Sequence, residues 1–259
     1  MKFLLVGDIV GYQGEDTLNK YLAKHGEKYD VIVVNAENID NGFGITSQKA
    51  NNLLNNGVDV ITLGNHSFDK KDVYEYLNKT KRVIRPYNFS DKAPGNGYTI
   101  IEKKNKKIAI VSLQGRVYMN TLHCPFIAID SLLEDLKEKV DIIVVDFHAE
   151  VTSEKIAMGW NVAGKVSIIY GTHTHVQTAD ESILNNKTAY ITDVGMTGGH
   201  DGVIGMNKKE VIQKFKTGLP VKFTVCETNK KINAIEVLVD DKTNYAVDIK
   251  RINLKYEEI

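Results

Sequence analysis

Residues 166–175 read Val-Ser-Ile-Ile-Tyr-Gly-Thr-His-Thr-His. The run Val166–Tyr170 is apolar almost throughout, as a strand covered on both faces requires, and it stops at a glycine followed by two histidines. Similar short runs occur at Lys2–Val6, Val31–Val34, Val58–Leu63, Ile108–Leu113 and Val140–Val145. Segments with helical spacing and charged faces lie between several of them: Glu15–His25, Thr46–Asn56, Lys70–Asn78, Ile127–Lys139 and Ser153–Val162. This alternation predicts an α/β fold with a mainly parallel sheet and right-handed crossovers.

The C-terminal third differs. Ala189–Thr192, Val221–Glu227, Ile232–Val239 and Tyr245–Asn253 read as strands joined tightly at Asn229-Lys230 and Asp240-Asp241-Lys242. They predict an antiparallel meander or a second sheet. Gln114–Pro125 fits neither pattern and reads as a long loop, an element that often carries function. No linker, repeat or low-complexity tract divides the sequence, so residues 1–259 are read as a single domain.

Composition removes several classes. The 33 Lys+Arg balance 33 Asp+Glu, and a neutral chain has no global field to steer it onto nucleic acid or an anionic membrane. Apolar residues at 42% and charged residues at 25% exclude disordered and fibrous classes. Cys124 and Cys226 alone cannot build a disulfide framework or a four-thiolate zinc site. Phe3-Leu4-Leu5-Val6 stops at Gly7-Asp8, too short for a signal segment or a membrane span. The expectation is a soluble, cytoplasmic, reduced protein with no membrane partner and no sequence-specific nucleic acid.

The chemistry lies where the strands end. Lys2–Val6 runs into Gly7-Asp8, Val31–Val34 into Asn35-Ala36-Glu37-Asn38, and Val58–Leu63 into Gly64-Asn65-His66. Val140–Val145 runs into Asp146-Phe147-His148, and Val166–Tyr170 into His173 and His175. Open α/β sheets bind ligands outside the carboxyl ends of their strands, so these residues should converge at one edge. Taken singly, Asp8 also fits a helix cap, Glu37-Asn38 turn residues, and His148 a hydrogen-bonded core histidine. The Gly-x-His-x-His string resists such a reading, since this composition yields it roughly 0.014 times by chance. Imidazoles mixed with carboxylate and amide oxygens suit borderline divalent metals. With Glu37 bridging, Asp8 and His175 fall on one metal, and Asn65, His148 and His173 on a second. Such a pair shares a hydroxide of lowered pKa and clamps an in-line displacement at phosphorus.

The order Gly-Asp, acidic residue, Gly-Asn-His, His, Gly-x-His-x-His resembles the calcineurin-like metallophosphoesterases. It is most similar to their YmdB-like 2′,3′-cyclic nucleotide phosphodiesterase branch. NAEN (35–38), NGFGIT (41–46), LQGRVYM (113–119), DFHAEVTSEKIAMGW (146–160), GTHTHVQTADE (171–181) and ITDVGMTGGHDGVIGM (191–206) carry the likeness. The resemblance implies a double β-sandwich flanked by helices, a four-layer α/β/β/α arrangement. It implies two divalent or mixed-valence metals held by Asp8, Glu37, Asn38, Asn65, His148, His173 and His175, with His66 as general acid. The superfamily's usual first-motif histidine is replaced by Val10, and Asn38 is the natural substitute. An oxygen-rich site favours iron, with manganese or zinc as alternatives.

The implied reaction is hydrolysis of a small-molecule 2′,3′-cyclic nucleotide or related phosphodiester. A metal-bridging hydroxide attacks phosphorus while His66 protonates the leaving ribose oxygen. Alternatives are a phosphomonoesterase or protein phosphatase on the same metal core, or a nucleotide-binding regulator with little turnover. A homo-oligomer is compatible with the sequence. Asp69 could orient His66 but is read chiefly as the N-cap of a helix beginning at Lys70, and Asp146 as a support for His148 or a buried polar end. His25, His123 and His200 are read as ordinary surface or loop histidines. Phe43, Arg116 and Tyr118 are candidate base or phosphate contacts, and Lys103–Lys107 a solvated hairpin turn.

Overall fold

Strand β1 (Lys2–Val6) divides its side chains between two interiors, with Phe3 and Leu5 entering one and Leu4 and Val6 the other. Period-two alternation with both faces apolar forces cover on each side of the sheet. The structure, a computed structural model describing residues 1–259, shows what supplies that cover. After β1 come β2 (Asp8–Ile9), α1 (Gly11–His25), β3 (Val31–Asn35), α2 (Ser47–Asn55), β4 (Val60–Thr62), α3 (Val73–Lys79) and β5 (Val83–Ile84). Next are β6 (Tyr98–Lys103), β7 (Lys106–Gln114), α4 (Pro125–Leu136), β8 (Ile142–His148), α5 (Thr152–Val162) and β9 (Ile168–Thr172). The chain ends with β10 (Ser182–Leu184), β11 (Thr188–Ile191), β12 (Met196–Gly199), α6 (Lys208–Thr217), β13 (Lys230–Val239) and β14 (Ala246–Lys255).

Two sheets form. One runs β2-β12-β13-β1-β3-β4-β5 with β14 also paired to β13, and the other runs β10-β11-β9-β8-β7-β6. Phe3, Leu5, Val33, Ile110, Val144 and Ile168 meet between them. Leu18, Leu22, Leu53 and Leu77 press α1, α2 and α3 onto the outside of the first sheet. Ile129, Leu132, Met158 and Val162 press α4 and α5 onto the outside of the second. The result is the expected four-layer α/β/β/α double β-sandwich. Strands β1, β3 and β4 are mutually parallel, as are β7, β8 and β9, so each sheet delivers its strand ends to one edge.

The C-terminal third is where expectation and structure part. Ile232–Val239 and Tyr245–Asn253 do form a hairpin, β13–β14, but β13 lies antiparallel to β1 and completes the first sheet. Ala189–Thr192 becomes β11, parallel to β9 in the second sheet. No separate meander exists. Val221–Glu227 is not a strand: its alternation finds no partner beyond one bridge from Val225 to Met206. Helix α6, which the sequence reading passed over, has apolar Val211, Ile212 and Phe215 at helical spacing among charged residues but buries only Val211 of them. Helix α1 starts at Gly11, four residues before the expected Glu15, and its first turn packs so closely on β12 that a Cβ at Gly14 would stand 2.3 Å from the Thr197 carbonyl oxygen. The Lys103–Lys107 turn is borne out, with Lys104 and Asn105 at φ of 48° and 60° as a two-residue hairpin turn prefers. Both cysteines are free, and no helix is long and apolar enough to cross a membrane.

Leu5→Ala opens a void between the sheets and should cost about 2–5 kcal/mol, read as a lower urea midpoint at unchanged m-value. A loss below about 1 kcal/mol would mean that the sheets close over the gap.

Candidate functional site

Asp8 follows β1, Glu37 and Asn38 follow β3, Asn65 and His66 follow β4, His148 ends β8, and His173 and His175 follow β9. The strand ends of both sheets meet here, and all the predicted site residues come together.

The ring of His148, wholly buried, is oriented first. Its Nδ1 lies 2.9 Å from Thr172 Oγ1, whose hydroxyl in turn donates to Asp146 Oδ1 at 2.7 Å. Asp146 Oδ2 also accepts from Thr62 Oγ1 at 2.5 Å and Asn35 Nδ2 at 3.1 Å, which ties β8 across the sandwich to β4 and β3. This buried chain places the imidazole proton on Nδ1 and turns the Nε2 lone pair into the site. Asp146 is therefore a support for His148.

His148 Nε2 then lies 2.9 Å from Glu37 Oε1, 2.9 Å from Asn65 Oδ1 and 3.0 Å from His173 Nδ1. One nitrogen carries at most one hydrogen and cannot satisfy three lone pairs. Donor atoms sharing one ion at about 2.0–2.2 Å stand roughly 3 Å apart, as these do. His173 is tied back in the same way, its Nε2 lying 3.0 Å from Glu150 Oε2. His175 has Nδ1 2.9 Å from the Ile204 carbonyl, leaving Nε2 3.0 Å from the Asn38 amide and 3.7 Å from Asp8 Oδ1. Asp8 Oδ1 and Asn38 Oδ1 are buried without any hydrogen-bond partner. Each would cost about 1–3 kcal/mol if left so. A cation between Asp8 and His175 would satisfy Asp8 Oδ1, and would satisfy Asn38 Oδ1 once the amide, whose Nδ2 faces His175 Nε2 at 3.0 Å, turns its oxygen inward. The donor set thus fits two cations: Asp8, Asn38 and His175 could hold one, Asn65, His148 and His173 the other, with Glu37 beside the second.

The electrostatics agree. Burial pushes the His173 ring down, and His148 beside it pushes further, to about 2, so His173 is neutral at working pH, as a metal ligand would have to be. Burial pushes the Glu37 carboxyl up, but His148 and His66 outweigh it and hold it at about 2. Burial disfavours charge on His148, yet Glu37 and Asp8 hold its pKa up at about 9, so without metal a proton occupies the place of the cation. Burial pushes Asp8 up against the pull of His175 and His148.

His66 stands beside this cluster. Its backbone N–H donates to Glu37 Oε2 at 2.8 Å, and its Nδ1 lies 2.7 Å from Asp69 Oδ2. Asp69 is thus not the helix cap it was read as: α3 begins three residues later, after Asp72, and Asp69 is free to orient His66. Phe43 packs edge-on to His66 with ring centroids 5.2 Å apart. Arg116 instead reaches Cys124 Sγ at 3.3 Å, and Tyr118 is 90% exposed. Val10 packs against Gly205 below the Ile204 carbonyl that holds His175.

Two residues that the sequence reading left unassigned carry the histidine loop. Lys155, 1% exposed, donates from Nζ to the Thr172 carbonyl at 2.7 Å and to Asp193 Oδ2 at 2.5 Å. Asp193 accepts in turn from the backbone N–H and hydroxyl of Thr174, at 3.1 and 2.8 Å. The pair therefore grips the chain on both sides of His173, where His173 and His175 have φ of 98° and 65°. Non-glycine residues hold that backbone shape only under outside constraint. A lysine inside an apolar helical stripe (Lys155 with Met158 and Val162) was the available signal.

Fold and ligand cluster define a calcineurin-like metallophosphoesterase scaffold. The chain belongs to the YmdB-like family: the family model described as YmdB-like protein matches residues 4–252. It is 43% identical over 254 residues to the 2′,3′-cyclic-nucleotide 2′-phosphodiesterase of Bacillus subtilis (strain 168), covering 97% of this chain and 96% of that protein. The crystal structure of a novel phosphatase from Mycoplasma pneumoniae is similar at TM-score 0.93 and 34% identity, over 98% of this chain and 93% of that one. A 5′-nucleotidase precursor of Thermus thermophilus shares the fold at TM-score 0.58 and 13% identity, over 100% of this chain and 55% of that one.

Lys155→Met strands Asp193 as a buried unpaired charge and should cost about 3–5 kcal/mol in urea unfolding. A change within about 0.5 kcal/mol would show the pair to be dispensable.

Proposed function

We propose that this chain is a metal-dependent phosphoric diester hydrolase that opens 2′,3′-cyclic nucleotides such as 2′,3′-cAMP to nucleoside monophosphates, residues 1–259 acting as one domain. The observation that carries this reading is the packing of Glu37, Asn65 and His173 around His148 Nε2 beside two unpartnered buried oxygens, on Asp8 and Asn38. The likeness to the Bacillus subtilis enzyme supports the substrate class. Asp8, Asn38 and His175 would hold one metal and Asn65, His148 and His173 the other, with Glu37 bridging. Iron is favoured over manganese or zinc on the oxygen content of the set. When bound, such a pair supplies Lewis acidity that activates water and neutralises phosphoryl oxygens.

The chain's own residues do the rest. His66 lines the same cavity as Glu37, Asn38, His173 and His175, while Asp69 holds its Nδ1. The carboxylate accepts from Nδ1–H and so orients the ring, and as an imidazolium His66 carries the transferable proton on Nε2. As the oxygen of water, its proton lost to solvent, bonds to phosphorus and one ribose P–O bond breaks, His66 gives its Nε2 proton to the departing oxygen and regains one from solvent. The His66 N–H bond to Glu37 keeps acid and metal ligands at a fixed separation.

Metal-loaded protein assayed on 2′,3′-cAMP, 3′,5′-cAMP, 5′-AMP and p-nitrophenyl esters should prefer the 2′,3′-cyclic diester. Monoester preference would select a phosphatase, and nucleotide binding without turnover a regulator. His66→Ala should keep its metal content and lose about 10²–10⁴-fold in kcat on 2′,3′-cAMP, with a smaller loss on a p-nitrophenolate ester whose leaving group needs no proton. Loss of a metal in that variant would make His66 a ligand instead.

A further inference from the structure

The cavity that begins at Glu37, Asn38, His66, His173 and His175 does not end there. The whole cavity has a volume of about 360 Å³, and the rest of its lining is mostly apolar: Phe43, Ile204, Met206, Phe215 and Phe223, with Lys214 as the one charged side chain among them. A volume of this size accommodates a small organic ligand. Apart from Phe43, which lies between β3 and α2, the wall is contributed by α6 and its flanking segments, where α6 buries only Val211 while Phe215 and Ile204 are 83% and 53% exposed. Phe43 packs edge-on to His66, so the wall begins in contact with the residue beside the metals. The Lys214 amine stands 5.0 Å from the centroid of the Phe223 ring, a cation–π contact that braces this ring against α6.

We infer that this wall is the nucleobase subsite, which holds the base by stacking and apolar contact while the phosphate lies at Glu37, Asn38, His173 and His175. The inference rests on the proposed phosphodiesterase reading, because a cyclic nucleotide joins a phosphate to a flat aromatic group, and one cavity here is lined by both the ligand cluster and an aromatic wall. It also sets the specificity. Aromatic faces stack on every base, and a wall with almost no hydrogen-bonding groups cannot read the edges that distinguish one base from another. The site therefore accepts purines and pyrimidines alike, and the base contributes to binding more than to selection. A nucleotide is favoured over a second copy of this chain because the wall lines the same cavity as the ligand cluster and meets it through the Phe43–His66 contact.

The test is equilibrium binding to metal-loaded protein of adenosine 3′-monophosphate, cytidine 3′-monophosphate and the base-free 1-O-methylribose 3-phosphate, by calorimetry. Both nucleotides should bind within about 10-fold of each other and at least about 10-fold tighter than the base-free phosphate. Phe215→Ala and Phe223→Ala should each weaken nucleotide binding several-fold and leave the base-free phosphate unchanged. Phe215→Trp should restore the affinity. Phe215 is so exposed that its removal does not threaten folding, which keeps the result readable. Equal binding of all three ligands would overturn the inference, as would variants that weaken all three equally. A sedimentation change in Phe215→Ala would also overturn it, since a second copy would then cover the wall. Nucleotides that bind through the wall but are not hydrolysed as 2′,3′-cyclic diesters would sink the catalytic reading and leave the subsite standing.

Discussion

Four atoms that each offer a lone pair, His148 Nε2, Glu37 Oε1, Asn65 Oδ1 and His173 Nδ1, crowd one point with at most one hydrogen to share. In water each would be solvated; here His148 and Glu37 are almost wholly buried. Burying such groups against one another is unfavourable unless positive charge sits among them. A cation resolves the conflict, and a proton on His148 resolves it in part. The contributing residues end strands of both sheets, so the charge at this point also ties the two halves of the sandwich together. A cation bound by the folded chain and not by the unfolded one adds its binding free energy to stability.

The layers beneath are arranged to keep that crowding in place. Asp146 reaches Thr62 and Asn35 across the interior and, through Thr172, fixes which nitrogen of His148 faces the site. The Lys155–Asp193 pair holds the loop in which two histidines adopt left-handed backbone shapes. Each imidazole of the candidate metal site has its other nitrogen committed: His148 to Thr172, His173 to Glu150, and His175 to the Ile204 carbonyl. An unsupported ring would have to be ordered when metal bound, and these bonds meet that entropic cost during folding.

Much of this was legible in the sequence because parallel strands covered on both faces must be almost wholly apolar, so the polar residue ending each run stands out. Lys2–Val6 matched β1 residue for residue, and the seven ligand candidates converge as their strand ends required. What was not legible depended on partners distant in sequence. Val221–Glu227 has the alternation of a strand but no neighbouring edge to pair with, and α6 has helical propensity without a buried stripe. The direction of β13 beside β1 follows from the long crossover that returns the chain to the first sheet, and local pattern carries no trace of it. Asp69 was misjudged for a related reason: an acidic residue near a helix start resembles a cap, and only the turn that brings it to His66 reveals otherwise.

The central claim is that this crowded edge is a two-cation centre joined through one carboxylate. Elemental analysis of purified Glu37→Ala beside the wild-type chain tests it most directly. The account predicts two metal ions per wild-type chain and loss of both in the variant, with far-ultraviolet circular dichroism unchanged. Wild-type chains that take up no metal, or a Glu37→Ala variant that keeps both ions at full occupancy, would contradict it.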